Sequence, residues 1–563
     1  MALLDEVAAR IASDLDDHEA WMVLADGLLD RSDERGRWIR LHYDQDRQRI
    51  DERLILEARW HRGGPKGFEW PGARLSWRFG FVVRVDVHWD DRTLAQLQAL
   101  DAHPDGLVWR SLALSEMPAK AVADLRSAAF ANRLRTLTLA STHLGDNGLL
   151  SLARGKFPSL TKLDVQNNEC TATGLAALVE APFIGQLRTL RLRNNPLGPA
   201  GGMVLGTLKS PALQVLDLTR TELTDAGLEA LGRGPLGASV SNLALAANQL
   251  TGAHLTKLTA ARTVDLSHNE ALSVDAVAAA ACGWTSLVLD GCALVDSDVP
   301  ALRAASALKA LSLSRNPELS LARMGEADLP NSLQSLVLSG CAVATRGWLA
   351  LAAASLPHLQ QLRLNGCQLT GLGDVPPQAF PSLEALDIGA NRLQDGGSAL
   401  AHALPALRTL KARRCGIGEG LEDWRHAPWF EKLEELDLSG QTLPWSKLLA
   451  ARRLVRLSLG RCRLSGTLRG LHDLPQLESL NLCHNHLSNA APIVEAGHPN
   501  LRQLNLSSNG IDDAGAARLT NQLEYFPRLQ RLNLRSNPLS SSMQAAFEQA
   551  STPTMLEVTG AGG

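Results

Sequence analysis

The sequence predicts an α/β solenoid: short parallel strands stacked one per repeat, closed at the N-terminal end by a small helical cap. Three observations predict it. An eleven-residue pattern, L-x-x-L-x-L-x-x-N/C-x-L, begins at Trp109 and seventeen more times from Leu134 onward, at intervals of 21 to 28 residues. Its Leu-x-Leu core alternates as a strand with one buried face does. The residues before about 81 carry helical periodicity instead. One copy cannot bury its own leucines, so neighbours must stack and the ends must be capped.

The copies start at Trp109, Leu134, Leu160, Leu187, Leu213, Val240, Ala261, Trp284 and Leu308. They continue at Leu333, Leu359, Leu383, Leu407, Leu433, Leu454, Leu477, Leu501 and Leu529. An eroded earlier copy sits at Val82, Val85 and Val87, and Thr552–Val558 reads as a final cap strand. The pattern resembles the leucine-rich repeat. The stretches Leu223-Thr-Asp225-Ala-Gly227-Leu228 and Ile511-Asp-Asp513-Ala-Gly515 are similar to its ribonuclease-inhibitor type. That resemblance implies one continuous horseshoe of about eighteen repeats over residues 81–563, with a parallel sheet on the concave face and capped helices on the convex face. Several of the copies at 261, 284, 383, 407, 454 and 477 should lose the full helix, because they reach the next copy quickly. The segment from Leu369 to Pro377 cannot hold one.

Residues 1–80 read as three helices, over about 5–15, 20–29 and 35–59, with Arg62-Gly-Gly-Pro65 breaking the third. The run Trp21-x-x-x-Ala25-Asp26-x-Leu28-Leu29, followed by Asp33-Glu-Arg35-Gly36 and Ile39-Arg40-Leu41, resembles the bacterial repeat-companion domain. Trp77-Arg-Phe-Gly80-Phe81-Val82 resembles its junction with the first repeat, although Gly27 and Ser32 depart from the pattern. The resemblance implies an N-terminal cap and a bacterial source, and no activity.

Of eight cysteines, Cys292, Cys341, Cys367, Cys415 and Cys462 stand at the ninth position of a copy, where a small buried hydrophobe replaces Asn. A disulfide framework does not follow, and a reducing compartment does. Net charge is −3 with 20% charged residues, so no global field draws the chain to nucleic acid or an anionic membrane. No apolar run is long enough to span a bilayer. Met1-Ala-Leu-Leu-Asp-Glu6 lacks the features of a secretion signal, which leads to the expectation of a cytoplasmic protein.

The exposed column between the strand leucines holds no aromatic residue, so a partner there would be gripped by charge and hydrogen bonds. Its densest stretch, Arg363, Asp387, Lys411, Arg413, Arg414, Asp437, Arg456 and Arg461, is the expected site for a protein partner. Lys411→Glu with Arg413→Glu is the pair expected to abolish it. Trp424, Trp429 and Trp445 lie nearby, as interior filler or as flanks of a partner. Nucleic acid is disfavoured by the interleaved aspartates and the lack of stacking rings.

No catalytic motif is present: there is no H-E-x-x-H, no phosphate-binding glycine loop and no G-x-S-x-G elbow. Cys483-His484-Asn-His486 and Asp86, His88 and Asp90 are the two clusters that invite a metal. Diverging side chains and a solvated strand face explain them more simply, so no cofactor or metal is expected. The sequence therefore predicts a non-catalytic interaction scaffold. Its alternative is a sensor subunit of a bacterial signalling or defence system. The acidic start (Asp5, Glu6, Asp14, Asp16, Asp17, Glu19) would then dock a separately encoded enzyme.

Overall fold

The computed structural model describes residues 2–43, 50–60, 67–325, 328–373, 375–376, 379–393, 404–417, 424, 426–442, 451–465, 474–488, 498–521, 526–543 and 555–557. The chain forms two compact units, Met1–Ala276 and Val277–Gly563.

The first unit opens with helices α1 (Ala2–Ser13), α2 (His18–Leu29), α3 (Arg35–Tyr43) and α4 (Ile50–Trp60). The Asp17 carboxylate caps α2, accepting from the Ala20 N–H at 2.9 Å. The apolar stripes meet in one core, with Val7, Ala8 and Ile11 against Trp21, Leu24, Leu28, Trp38 and Ile39. A Cβ on Gly36 would stand 2.5 Å from the Ala25 carbonyl oxygen, so α2 and α3 approach this closely because that residue is glycine. The helix expected over 35–59 is described as α3 and α4. Residues 44–49 between them and the Arg62–Pro65 break lie outside the described residues.

Next comes an antiparallel hairpin of β1 (Ala73–Arg78) and β2 (Phe81–His88), turning at Phe79 and Gly80 with φ of 49° and 74°. β2 then pairs in parallel with β3 (Ser111–Ser115), Val85 opposite Leu112 and Val87 opposite Leu114. The eroded copy is thus the first rung of the ladder. Arg35 ties the helices to it. Its guanidinium is buried over the Phe81 ring, 4.1 Å from the centroid, and pairs with Asp33 at 2.6 Å and Asp105 at 2.9 Å.

Every copy supplies one strand. In the first unit the parallel ladder runs on from β3 through β4 (Thr136–Thr138) to β9 (Thr263–Asp265). In the second it runs from β10 (Ser286–Val288) through β20 (Arg531–Asn533) to β21 (Met555–Glu557). The tail strand expected over 552–558 is β21, with Leu556 opposite Leu532. In most of the three-residue strands a buried central Leu or Val stands between two more exposed neighbours, as at Thr189-Leu190-Arg191.

The ninth position stitches the rungs together. Asn316 Nδ2 donates to the Leu313 carbonyl of its own copy at 2.7 Å and to Leu289 of the preceding one at 3.0 Å. Its Oδ1 accepts from the N–H groups of Cys292 and Leu294 at 2.9 and 3.1 Å. Where Cys stands instead, part of this survives: the Cys341, Cys367 and Cys415 thiols donate to the preceding copy's carbonyl at 2.9 to 3.0 Å. Burial pushes the Cys341 thiol up to about 12 and those of Cys367 and Cys415 up to about 11, which keeps them protonated.

Connections carry helices such as Gly145–Ala153, Thr224–Arg233 and Asp513–Asn521, as expected. The aspartate in the first turn does not cap its own helix. Asp225 accepts from the next copy's Thr251, its N–H at 3.1 Å and its hydroxyl at 2.6 Å, and Asp146 and Asp296 treat Thr171 and Ser320 the same way. Parallel stacking brings that backbone closer than the helix's own free N–H groups. Gly227 serves the same stacking, since a Cβ on Gly202 of the neighbouring helix would lie 2.4 Å from its Cα. The copy at 261 keeps a seven-residue helix, Val274–Ala280, shorter than the ten residues of Thr224–Arg233. The copy at 284 has a 3₁₀ helix, Asp296–Ala304, with Pro300 inside it. The connections after 383, 407, 454 and 477 fall largely outside the described residues.

Candidate functional site

All eight predicted partner-binding residues belong to the second unit, on five successive strands and the turns that follow them. These strands are β13 (Gln361–Arg363), β14 (Ala385–Asp387), β15 (Thr409–Lys411), β16 (Glu435–Asp437) and β17 (Arg456–Ser458). Strand register places Arg363, Asp387, Lys411, Asp437 and Ser458 side by side in one row. Arg456 stands one row over, beside Glu435. Arg413, Arg414 and Arg461 come just after their strands, Arg414 and Arg461 with φ of 52° and 58°.

The charges divide into a neutralised set and an unneutralised one. Glu435 sits between Lys411 at 2.8 Å and Arg456 at 3.0 Å. Burial raises its carboxyl, but the two cations outweigh this and hold it below the usual carboxylate range. Arg413 pairs with the nearly buried Asp437, whereas Asp387 accepts from the neutral Asn365 Nδ2 at 2.9 Å and keeps its charge. Among the described residues, Arg363, Arg414 and Arg461 are exposed and meet no carboxylate at ion-pair distance. The face is therefore net basic once its internal pairs are counted. Glu435, which sets this balance, was not singled out from the sequence; its place opposite Arg456 in the aligned copies is the signal that finds it.

Three shallow depressions follow the row. One of about 480 Å³ is lined by Asn365, Asp387, Arg413, Arg414, Asp437, Ser439, Ser458, Arg461 and Asn481 among others. A second, of about 850 Å³, lies at the turn edge and shares Arg414 and Arg461 with the first. A third, of about 340 Å³, lies over Arg363, Asp387, Lys411 and Arg413. Trp424 and Trp429 do not reach this surface: both are fully buried, 5.8 Å apart, as interior filler. Trp445 lies outside the described residues.

Other sequence candidates find structural partners. Asp86 pairs with Arg84 at 2.6 Å, His88 bonds the Ser115 hydroxyl at 2.7 Å, and Asp90 takes the Thr93 hydroxyl at 2.7 Å. In Cys483–His486, Asn485 points inward as a ladder asparagine while His484 and His486 are exposed beside it. In the acidic start, Asp17 and Glu19 pair with Arg10, and Asp16 pairs with Arg78, each at 3.0 Å. No described helix is long and apolar enough to cross a membrane.

Comparison with known proteins agrees with this geometry. The model of the family described as leucine-rich repeat matches residues 187–206, 209–232 and 497–519. The ribonuclease inhibitor of Sus scrofa is 30% identical over 417 residues, 69% of this chain and 73% of that protein. The chain belongs to the leucine-rich-repeat family. Proteins of this family typically serve as protein-interaction scaffolds. Podocan-like protein 1 of Mus musculus is 29% identical over 76% of this leucine-rich-repeat chain and 70% of its own length. The Tonsoku-like protein of Danio rerio is 30% identical over 34% of the chain, which spans only 14% of that protein. Among solved structures, the TLR13–ssRNA13 complex superimposes with a TM-score of 0.52 at 20% identity, covering 77% of this chain and 58% of that one, and shares the fold.

Proposed function

We propose that the protein is a non-catalytic scaffold that holds, senses or inhibits a protein partner across the strand face of its second unit, between Arg363 and Arg461. One observation carries this reading. Three exposed arginines on alternate copies keep their charge while Glu435 and Asp437 are already paired, which leaves the surface net basic and favours an acidic partner surface. Arg is also among the residues that most often anchor interfaces. The Sus scrofa relative, named for inhibiting a ribonuclease, supports a holding or inhibiting role. Six buried thiols fit a reducing compartment. The alternative, docking through the N-terminal helices, has less support, because Asp16, Asp17 and Glu19 are already paired internally.

The test substitutes cations that have no ion pair to lose. Lys411→Glu and Arg413→Glu would set like charges beside Glu435 and Asp437 and disturb the fold as well as the surface. Arg363→Gln with Arg461→Gln avoids this, because it removes two cations without setting a carboxylate beside Asp387. Affinity capture from the native cell should lose the main interactor with the double variant while its circular dichroism stays unchanged. Equal recovery rejects this surface.

A further inference from the structure

The turn edge of the same sheet carries a basic rim unlike the rest of the face. Arg392, Arg414, Arg461, Arg463, His484 and His486 occupy the eighth and tenth positions of four copies between 383 and 477, and all six are exposed. No acidic residue stands at those two positions in the five copies from 383 to 477, where Ala390, Gly416, Gly440 and Thr442 fill the rest. Among the described residues none of the four arginines has a carboxylate at ion-pair distance.

The copy between Arg414 and Arg461 is glycine at the equivalent position, and this shapes a recess. Gly440 has a φ of 79°, and a Cβ there would fall 2.6 Å from Arg414 Cγ. The Arg414 stem thus lies along bare backbone, and its Nε is 3.5 Å from that same point. Gly416 (φ 68°) has nothing within 4 Å of its Cβ position and leaves the neighbouring floor open. Arg414 and Arg461 line both depressions that meet here, with Ser439, Ser458, Asn481, Asp387 and the Arg413–Asp437 pair on the strand side and Arg392 and Arg463 on the outer side.

We propose that this rim is an oxyanion-binding site that takes a phosphorylated side chain of the protein partner. Arginine forks bind carboxylate and phosphate alike through paired charge-assisted hydrogen bonds, but a phosphate brings three acceptor oxygens where a carboxylate brings two. A dianion also answers several cations at once, where Glu or Asp would neutralise one. Among the described residues no aromatic ring lines either depression, which argues against the stacking that holds single-stranded nucleic acid. The proposal rests on the partner-binding reading of this sheet and narrows it to a phosphate-dependent partner.

The experiment measures fluorescence anisotropy of the full chain with three probes: a degenerate peptide library with a central phosphoserine, the same library with Ser, and the same with Glu. Phosphoserine should bind at least about tenfold more tightly than either. Arg414→Gln and Arg461→Gln should each remove about tenfold, whereas Arg315→Gln, at the eighth position of a copy outside the rim, should change nothing. Inorganic phosphate should compete. Equal binding of the three libraries, or tighter binding of a single-stranded oligonucleotide, overturns the proposal without any variant having to fold. If Arg363→Gln with Arg461→Gln loses the cellular partner while the libraries bind alike, the surface stands and the phosphate requirement falls.

Discussion

Asn316 shows how much one side chain can hold in this architecture, with two amide protons and two lone pairs all spent on buried backbone of adjoining copies. Asn316→Ala should cost about 3 kcal/mol, because carbonyls and N–H groups lose partners where water does not reach. Asn316→Cys should cost roughly half as much, because a thiol at this position already donates to the preceding carbonyl at Cys341 and Cys367. Urea unfolding followed by hydrogen exchange at 289–294 would compare the two; equal losses would deny the thiol that role. Glu435 makes a pH prediction. Its native carboxyl lies below its unfolded value of 4.5, so its contribution is present above that pH and is lost as pH falls through the lower native value. Glu435→Gln should therefore flatten the acid limb of a stability–pH curve. An unchanged limb would mean that Lys411 and Arg456 do not hold the charge in solution. The spacing of the leucines made the buried positions legible at this scale. It could not show which cations are paired, because Arg413 reaches a carboxylate 24 residues on, and only the register of folded strands brings the two together.

Among the elements, the connecting helices and the first hairpin depart most from the pattern. Helices over 224–233 and 513–521 follow the apolar spacing, and the Gly of the Asp-Ala-Gly motif is explained by helix-to-helix approach. The role of its Asp was not legible, since the acceptor it offers goes to the next copy. β1 was not singled out either, although Ala73-Arg-Leu75-Ser-Trp77-Arg alternates apolar and polar residues as a strand does and the Phe79–Gly80 turn follows it. The buried Arg35 joins these elements through Asp105, whose carboxylate also accepts from the Phe68 N–H at 2.9 Å. Asp105→Asn should cost about 3 kcal/mol, by leaving the guanidinium buried with Asp33 alone. Thermal unfolding monitored at the tryptophans would detect it. A loss under about 1 kcal/mol would show that Asp33 suffices.

For the molecule as a whole, stability should be the sum of short-range contacts between neighbouring copies. Removing residues 2–60 strips the cover from Phe81 and leaves Asp105 without Arg35, so the first rungs should fray. The buried thiols of Cys341 and Cys367 should keep their slow alkylation, because their own neighbours are intact. Fast labelling there would point to cooperativity beyond nearest neighbours. The central claim, that a protein partner is held on the strand face and turn edge of the second unit, is tested most directly by hydrogen–deuterium exchange of the chain with and without its captured partner. Protection is predicted in the turns at 389–393, 413–417, 439–442 and 460–465, with the helices at 2–60 unchanged. Protection confined to those helices would contradict it.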